Sequence, residues 1–276
     1  MYGIRKTIFT ICLLLVVFFS NAQRDTMIML QDTTIDYTAD CFTIFFKRAT
    51  KLPSLDRTIL VTKAGKKVTM ASFLKTETSA DLKYGLIDLD MDGKKELVIY
   101  NFSGGAHCCD EFYFFKNIGT NKYQYAAKTF GGNVCVTGDN EFVFDFNEHF
   151  GYFFTCYACA YDESDIMTNP IHNIFLKYDK GKLSVVPGDD ELRNQINDYL
   201  AILSEEPYEK LNNDLDQDNG LRKEFAFHFA VFYYSFGKNM EETKRLFDKY
   251  YKFPDAKKVW TEFVKRLSDV KNDNDF

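Results

Sequence analysis

Between Cys41 and Val186 the chain is a succession of short aromatic and β-branched segments, each closed by turn chemistry before it reaches the length of a stable helix. The segments read CFTIFFKR, RTILVTK, KKVTMASF, KYGLIDLD, ELVIYNF, EFYFFKN, YQYAAKTF, EFVFDFN, GYFFTCYACAY, NIFLKYD and KLSVVPG. Between them fall Ala64-Gly65-Lys66, Asp92-Gly93, Ile118-Gly119-Thr120, Gly131-Gly132-Asn133, Gly138-Asp139-Asn140 and Asp179-Lys180-Gly181. Aromatic and β-branched side chains pack well on a pleated surface, and Gly and Asn tolerate the positive φ of tight turns. Strands at such close spacing predict antiparallel hairpins.

After Pro187 the period changes. DDELRNQINDYLAILSEEPYEKL sets Leu192, Ile196, Leu200 and Leu203 at helical spacing, with acids at its start where they suit the helix dipole. LRKEFAFHFAVFYYSFG predicts a buried helix ending at Gly237. NMEETKRLFDKYYKF predicts an amphipathic one, and PDAKKVWTEFVKRLSDV another, opened by Pro254 at its first turn. The expected class is α+β. An antiparallel β-rich domain over residues 23–187, incomplete and propeller-like or a sheet/sandwich, precedes a helical region over 188–270 and a disordered tail over 271–276.

Residues 1–22 read as a removable secretory signal: Arg5 and Lys6, an apolar run from Ile8 to Phe19, then the small residues Ser20-Asn21-Ala22. The apolar run is short for a bilayer span, which needs about 20 residues. The expected location is secreted or periplasmic, with no transmembrane segment after the signal is removed. A net charge of −6 argues against nucleic acid as a partner, because an acidic surface repels phosphate.

Export changes how cysteine is read. Cys12 leaves with the signal, and Cys41, Cys108, Cys109, Cys135, Cys156 and Cys159 are disulfide candidates whose pairing the sequence does not select. A zinc site from His107, Cys108 or Cys109, Cys156 and Cys159 is the competing reading. Both segments carrying these residues read as strands, where neighbours and residues three apart face opposite sides. Cross-sheet disulfides are therefore expected in preference to a four-ligand cage.

The densest charge lies in GLIDLDMDGKKELVIY, where Asp88, Asp90 and Asp92 alternate, Gly93 follows, and Glu96 comes immediately before an apolar run. Ca²⁺ takes six to eight oxygens, and a turning loop offers them from alternate residues. Asp88, Asp90 and Asp92 fit loop positions one, three and five, Gly93 the sharp turn, the Lys94 carbonyl position seven and Glu96 position nine. An EF-hand would need Glu at position twelve and flanking helices, whereas Ile99 stands there inside a strand pattern. The loop is expected to join two strands. Like charges this close repel by about 1 kcal/mol per pair even in water, so an ion that neutralises them is a better account than a bare acidic turn. GLIDLDMDGKKELVIYNFSGG resembles the FG-GAP and VCBS type of calcium-loop repeat, in a single copy, as found in secreted bacterial proteins. That resemblance implies Asp88, Asp90, Asp92 and Glu96 as side-chain ligands, Lys94 as a backbone ligand, and Ca²⁺ as a structural cofactor. DLDQDNGLRKE, Asp214 to Glu224, is superficially similar, but its Gly falls one place late and a helix pattern follows, which predicts an interhelical loop.

Signals for a reaction are thin. Cys108 or Cys109 with His107 or His149 lacks any pattern that fixes a nucleophile beside a base. Ser103 before Gly104-Gly105 is not in the G-x-S-x-G order. There is no H-E-x-x-H and no phosphate loop. Cys156-x-x-Cys159 has redox spacing without the strand-to-helix setting. His172 and His228 read as ordinary surface and core residues. Asp139, Glu141, Asp145 and Glu148 among Phe142, Phe144 and Phe146 predict a half-buried strand, although acids beside aromatics also occur on glycan-binding surfaces. The function expected is that of an exported, non-catalytic calcium-binding protein, a binding or adhesion module for an unknown protein or glycan ligand. The alternative is a secreted hydrolase or thiol-dependent enzyme in which the ion is structural.

Overall fold

A computed structural model describes residues 57–76, 81–102, 110–131, 141–159, 161, 171–211 and 217–276, with the short strand pieces 42–43, 47–48 and 135–136. The predicted signal over 1–22, Cys41, and the His107-Cys108-Cys109 group lie outside the described residues. The strands are β1 (Phe42–Thr43), β2 (Lys47–Arg48), β3 (Ile59–Val61), β4 (Lys67–Thr69), β5 (Asp81–Ile87), β6 (Glu96–Phe102), β7 (Asp110–Gly119), β8 (Lys122–Phe130), β9 (Cys135–Val136), β10 (Glu141–Asp145), β11 (Asn173–Asp179) and β12 (Lys182–Val185). The helices are α1 (Met70–Thr76), α2 (Asn147–Phe150), α3 (Asp190–Ser204), α4 (Leu221–Ser235), α5 (Met240–Tyr250) and α6 (Ala256–Asp273).

Two sheets form. One has five strands in the order β1-β9-β10-β11-β12 and the other seven in the order β2-β5-β6-β7-β8-β3-β4. Among the described residues pairing is antiparallel except between β3 and β8, which run parallel. The α+β class stands, in its sheet/sandwich form. Strand β6 buries both of its faces: Val98 joins Phe112, Phe114 and Ala127 in the main core, while Leu97 and Ile99 face a second cluster with Leu60, Met70, Phe115 and Tyr123. That is why its stretch Leu97–Tyr100 is continuously apolar. The five-stranded sheet turns Phe142, Phe144, Ile174, Leu176, Tyr178 and Leu183 into the same main core. The rings of Phe114 and Phe142, 5.4 Å apart, join the two sheets.

Helix α4 is buried all round: from Phe225 on its apolar residues form no single stripe, and the charged residues of its first turn are buried with them. It packs against α3, α5, α6, α2 and β11. Asp189 caps α3 by accepting from the Leu192 N–H at 2.9 Å, and the Asn239 carboxamide oxygen accepts from the Glu241 and Glu242 N–H groups at the start of α5.

Several expectations are corrected. KKVTMASF is a strand only to Thr69, and Met70–Thr76 is helical, because Met70 and Phe73 at helical spacing reach the second core together. GYFFTCYACAY is not a strand: over its described residues it is a run of turns, with Phe154 in the left-handed region at φ 57°. Pro254 precedes the Asp255 cap of α6 and does not lie in its first turn. The C-terminal residues are held in place. The helix continues to Asp273, the Asn274 carboxamide oxygen accepts from the Phe130 N–H at 2.7 Å, and Asp275 accepts from the Lys128 N–H at 3.1 Å. Phe276 packs its ring on Phe144 and Tyr234. A tail rich in Asn and Asp reads as solvated, yet these side chains satisfy backbone donors of β8.

Candidate metal centre

The acidic loop is the hairpin connection between β5 and β6, closed by the Ile87 and Glu96 pair. It therefore joins two strands, as expected from the sequence. Met91 at φ 55° and Gly93 at φ 84° turn the chain. Gly is suited to such a conformation, while Met91 adopts it at a steric cost. Leu89, 2% exposed, points the other way and anchors the loop in the main core.

The turn brings Asp88, Asp90 and Glu96 together, each offering a carboxylate oxygen within 4.8 Å of the other two. Glu96 is only 2% exposed, and its Oε2 accepts from the Leu89 N–H at 3.0 Å. Burial, reinforced by the charges of Asp90 and Asp92 and partly offset by the Leu89 N–H, raises its pKa from the ordinary Glu value. Asp88 Oδ2 accepts from the Gly93 N–H at 3.0 Å, and Asp90 Oδ2 accepts from the Lys180 N–H at 3.0 Å. The other oxygen of each, Asp88 Oδ1 and Asp90 Oδ1, is buried and has no hydrogen-bond partner among the described residues. A buried carboxylate oxygen left unpaired is costly. Two such oxygens beside a third buried carboxyl form a cradle suited to a hard cation with oxygen ligands.

Asp92 stands apart from these three. Its carboxylate accepts from the Lys94 N–H at 2.8 Å and pairs with the Lys94 Nζ at 3.3 Å. The backbone bond, above all, draws its pKa below the ordinary value. The Lys94 amide is thus occupied within the loop.

Neighbouring elements hold the loop. Asn117 Nδ2 donates to the Lys95 carbonyl at 3.0 Å, tying in the β7–β8 turn. The β11–β12 turn docks through Lys180, whose N–H reaches Asp90 and whose carbonyl accepts from Lys116 Nζ at 3.2 Å. Tyr178, 1% exposed, carries a hydroxyl with no hydrogen-bond partner among the described residues. Burial raises its pKa first, and the charges of Glu96, Asp90 and Asp92 raise it further, so the phenol faces their field. Sequence reasoning missed Tyr178 and Lys180. Lys180 is separated from Asp90 by 90 positions, and no local pattern could link them.

The other candidates resolve differently. Cys156 and Cys159 are bonded to each other, which corrects the expectation that residues three apart here would face opposite sides of a sheet. The segment is a turn, in which such residues can meet. Lys223 Nζ, on buried α4, donates to the carbonyls of Cys156 at 3.3 Å, Tyr157 at 3.2 Å and Cys159. Cys135 lies on β9, and its side chain is outside the described residues, as are Asp139 and Ser103. Glu141 and Asp145 flank a strand whose Phe142 and Phe144 are buried, the half-buried pattern expected. His149 Nε2 lies 3.3 Å from Asp273, and burial depresses its pKa. His172 Nε2 lies 2.6 Å from Glu224 Oε2, and His228 is in the core, its Nδ1–H donating to the Glu224 carbonyl at 2.8 Å. Asp218, in the stretch predicted as an interhelical loop, pairs with Arg222 at 2.8 Å where the chain enters α4.

An open cleft of about 710 Å³ lies between the turn segment and the start of α6, lined by Tyr152, Phe154, Pro254, Asp255, Lys258 and Glu262 among others. Its carboxylates have internal partners: Asp255 takes Arg222 Nε at 2.8 Å and the Tyr251 hydroxyl at 2.9 Å, and Glu262 takes Arg266 Nε at 2.8 Å.

The site therefore belongs to a two-sheet α+β chain that carries, among its described residues, one hairpin loop of convergent carboxylates. No family model, curated protein or solved structure matches the chain.

Proposed function

We propose that this chain is an exported, non-catalytic calcium-binding protein that acts as a binding or adhesion module for a protein or glycan ligand at the cell envelope. The observation that carries the reading is the pair of buried oxygens Asp88 Oδ1 and Asp90 Oδ1, unpartnered among the described residues, beside buried Glu96. Asp88, Asp90 and Glu96 would hold the ion. A bound Ca²⁺ supplies positive charge that these carboxylates otherwise lack, and its binding free energy becomes stability of the folded state. The role is structural, fixing a hairpin whose tip carries Met91 at 63% exposure, while Ile118, next to the β7–β8 turn, is 47% exposed; both are apolar side chains available to a partner.

Two observations favour this over a hydrolase. The cleft's carboxylates are committed to Arg222, Tyr251 and Arg266, so neither is poised as an acid or base. Cys156 and Cys159 are joined, which removes them as free nucleophiles in an oxidising compartment. Among the described residues no helix is long and apolar enough to cross a membrane. Calorimetric titration of the mature chain with Ca²⁺ tests the reading. A single saturable site is expected, absent from an Asp88→Asn/Glu96→Gln variant that keeps the same circular dichroism. Failure of the unaltered chain to bind Ca²⁺ would refute it.

A further inference from the structure

The loop's contacts with the opposite sheet deepen the calcium reading and depend on it. Asp90 does two things at once: Oδ2 accepts the Lys180 N–H of the β11–β12 turn, while Oδ1 is buried and unpaired among the described residues, beside Asp88 and Glu96. The turn is held from a second side by Lys116, whose ammonium donates to the Lys180 carbonyl and whose side chain lies against Gly181. Lys180 at φ 49° and Gly181 at φ 91° are both left-handed, so the turn is strained at the residue that meets the loop. From the same hairpin Tyr178 stacks its ring on Phe114 of the other sheet. Its hydroxyl, buried and without a partner among the described residues, lies near Gly181 and faces the charge of Glu96, Asp90 and Asp92.

A buried phenol that lacks a partner among the described residues, beside the turn whose Lys180 amide is bonded to Asp90, is an unusual arrangement, since tyrosine hydroxyls normally find a hydrogen bond when buried. We propose that the metal is a clasp between the two sheets, with Tyr178 as a positioning residue. The hydroxyl bonds into the hydration or carboxylate shell of the ion, and the ion fixes Asp90 so that it holds the Lys180 amide. The β11–β12 hairpin is then ordered by Ca²⁺ bound in a loop of the other sheet. Outer-shell groups of this kind orient ligands and tune affinity. Because Asp90 serves both the ion and the hairpin, binding and docking are linked in both directions.

Amide hydrogen exchange on the full mature chain, with Ca²⁺ and with chelator, separates this proposal from the reading beneath it. On adding Ca²⁺ the Leu89, Gly93 and Lys94 amides of the loop and the Lys180 amide of the hairpin are all expected to exchange about tenfold more slowly or better. Protection of the loop amides with no change at Lys180 would overturn the clasp and leave the calcium site standing. No protection at any of them would overturn both. Tyr178→Phe gives a second readout. It is expected to weaken Ca²⁺ binding by about tenfold while leaving the chelated protein at least as stable as the parent, since it deletes an unpaired buried hydroxyl. Unchanged affinity in Tyr178→Phe would remove Tyr178 from the clasp.

Discussion

Glu96 and Asp92 belong to one loop, yet their pKa values move in opposite directions. Burial and the neighbouring acids raise Glu96, whereas the Lys94 amide lowers Asp92. A carboxyl raised in the fold contributes stability only at low pH, and that contribution is lost as pH rises through its folded value. Ion-free protein near neutral pH therefore carries a penalty at Glu96 that a bound cation would relieve. Glu96→Gln keeps an oxygen for the Leu89 N–H and removes the charge. It should stabilise the chelated protein at pH 7, by about 1 kcal/mol per neighbouring carboxylate relieved, while abolishing the calcium response, as read by denaturant unfolding. His228 gives an independent pH test. Burial lowers it from 6.5 to about 4, and its Nε2 has no partner among the described residues. A base depressed in the fold binds fewer protons than the unfolded chain across that window. Its contribution is full above pH 6.5 and lost as pH falls toward 4, a change of about 3 kcal/mol. His228→Leu should flatten the fall in stability between pH 7 and pH 4.5 relative to the parent. An unchanged slope would count against burial as the cause.

Among the elements, α4 shows how a charged triplet can sit in a core. Arg222, Lys223 and Glu224 are all buried, and each serves a different neighbour: Arg222 takes Asp218 and Asp255, Lys223 takes the carbonyls around the disulfide, and Glu224 takes His172. Lys223→Met keeps the stem and leaves those carbonyls without their donor. A loss of about 2–3 kcal/mol is expected in chemical denaturation, larger than for Lys257→Met on the exposed start of α6. The segment from Gly151 to Cys159 also shows where the sequence stops being legible. Its aromatic density matches a strand, but what decides its path is a lysine on a distant helix and a disulfide between near neighbours. By contrast, the Asp88–Glu96 loop is readable because its turn, anchor and carboxylates are local, and α3, α5 and α6 because each carries its own amphipathic period and, for α3 and α5, its own cap. Tyr178 is not readable in this way. Its alternation marks a buried face of β11 and nothing more.

Across the molecule, one core runs through the change of texture at Pro187: Phe142 and Leu176 from the sheet share it with Phe225, Phe229 and Phe263 from the helices. The C-terminal residues extend this joining. Asp275 bonds Lys63 at 2.8 Å and the Tyr125 hydroxyl, and Phe276 packs on both Phe144 of β10 and Tyr234 of α4. Asp275→Ala with Phe276→Ala should lower stability by about 3 kcal/mol in a single cooperative transition, monitored by near- and far-UV dichroism. Two separated transitions would contradict a shared core. The acidic composition of the tail conceals this role, because Asn and Asp beside a sheet are read as solvent-facing unless the strand they serve is known.

Whether the carboxylates of the β5–β6 hairpin hold a divalent cation is decided by a thermal melt of the chain without residues 1–22 in saturating Ca²⁺ against chelator. With the ion at about one hundred times its dissociation constant, the midpoint should rise by about 5–10 °C, and Asp88→Asn/Asp90→Asn should erase the rise. Superimposable melts with and without Ca²⁺ would mean that the loop binds no ion.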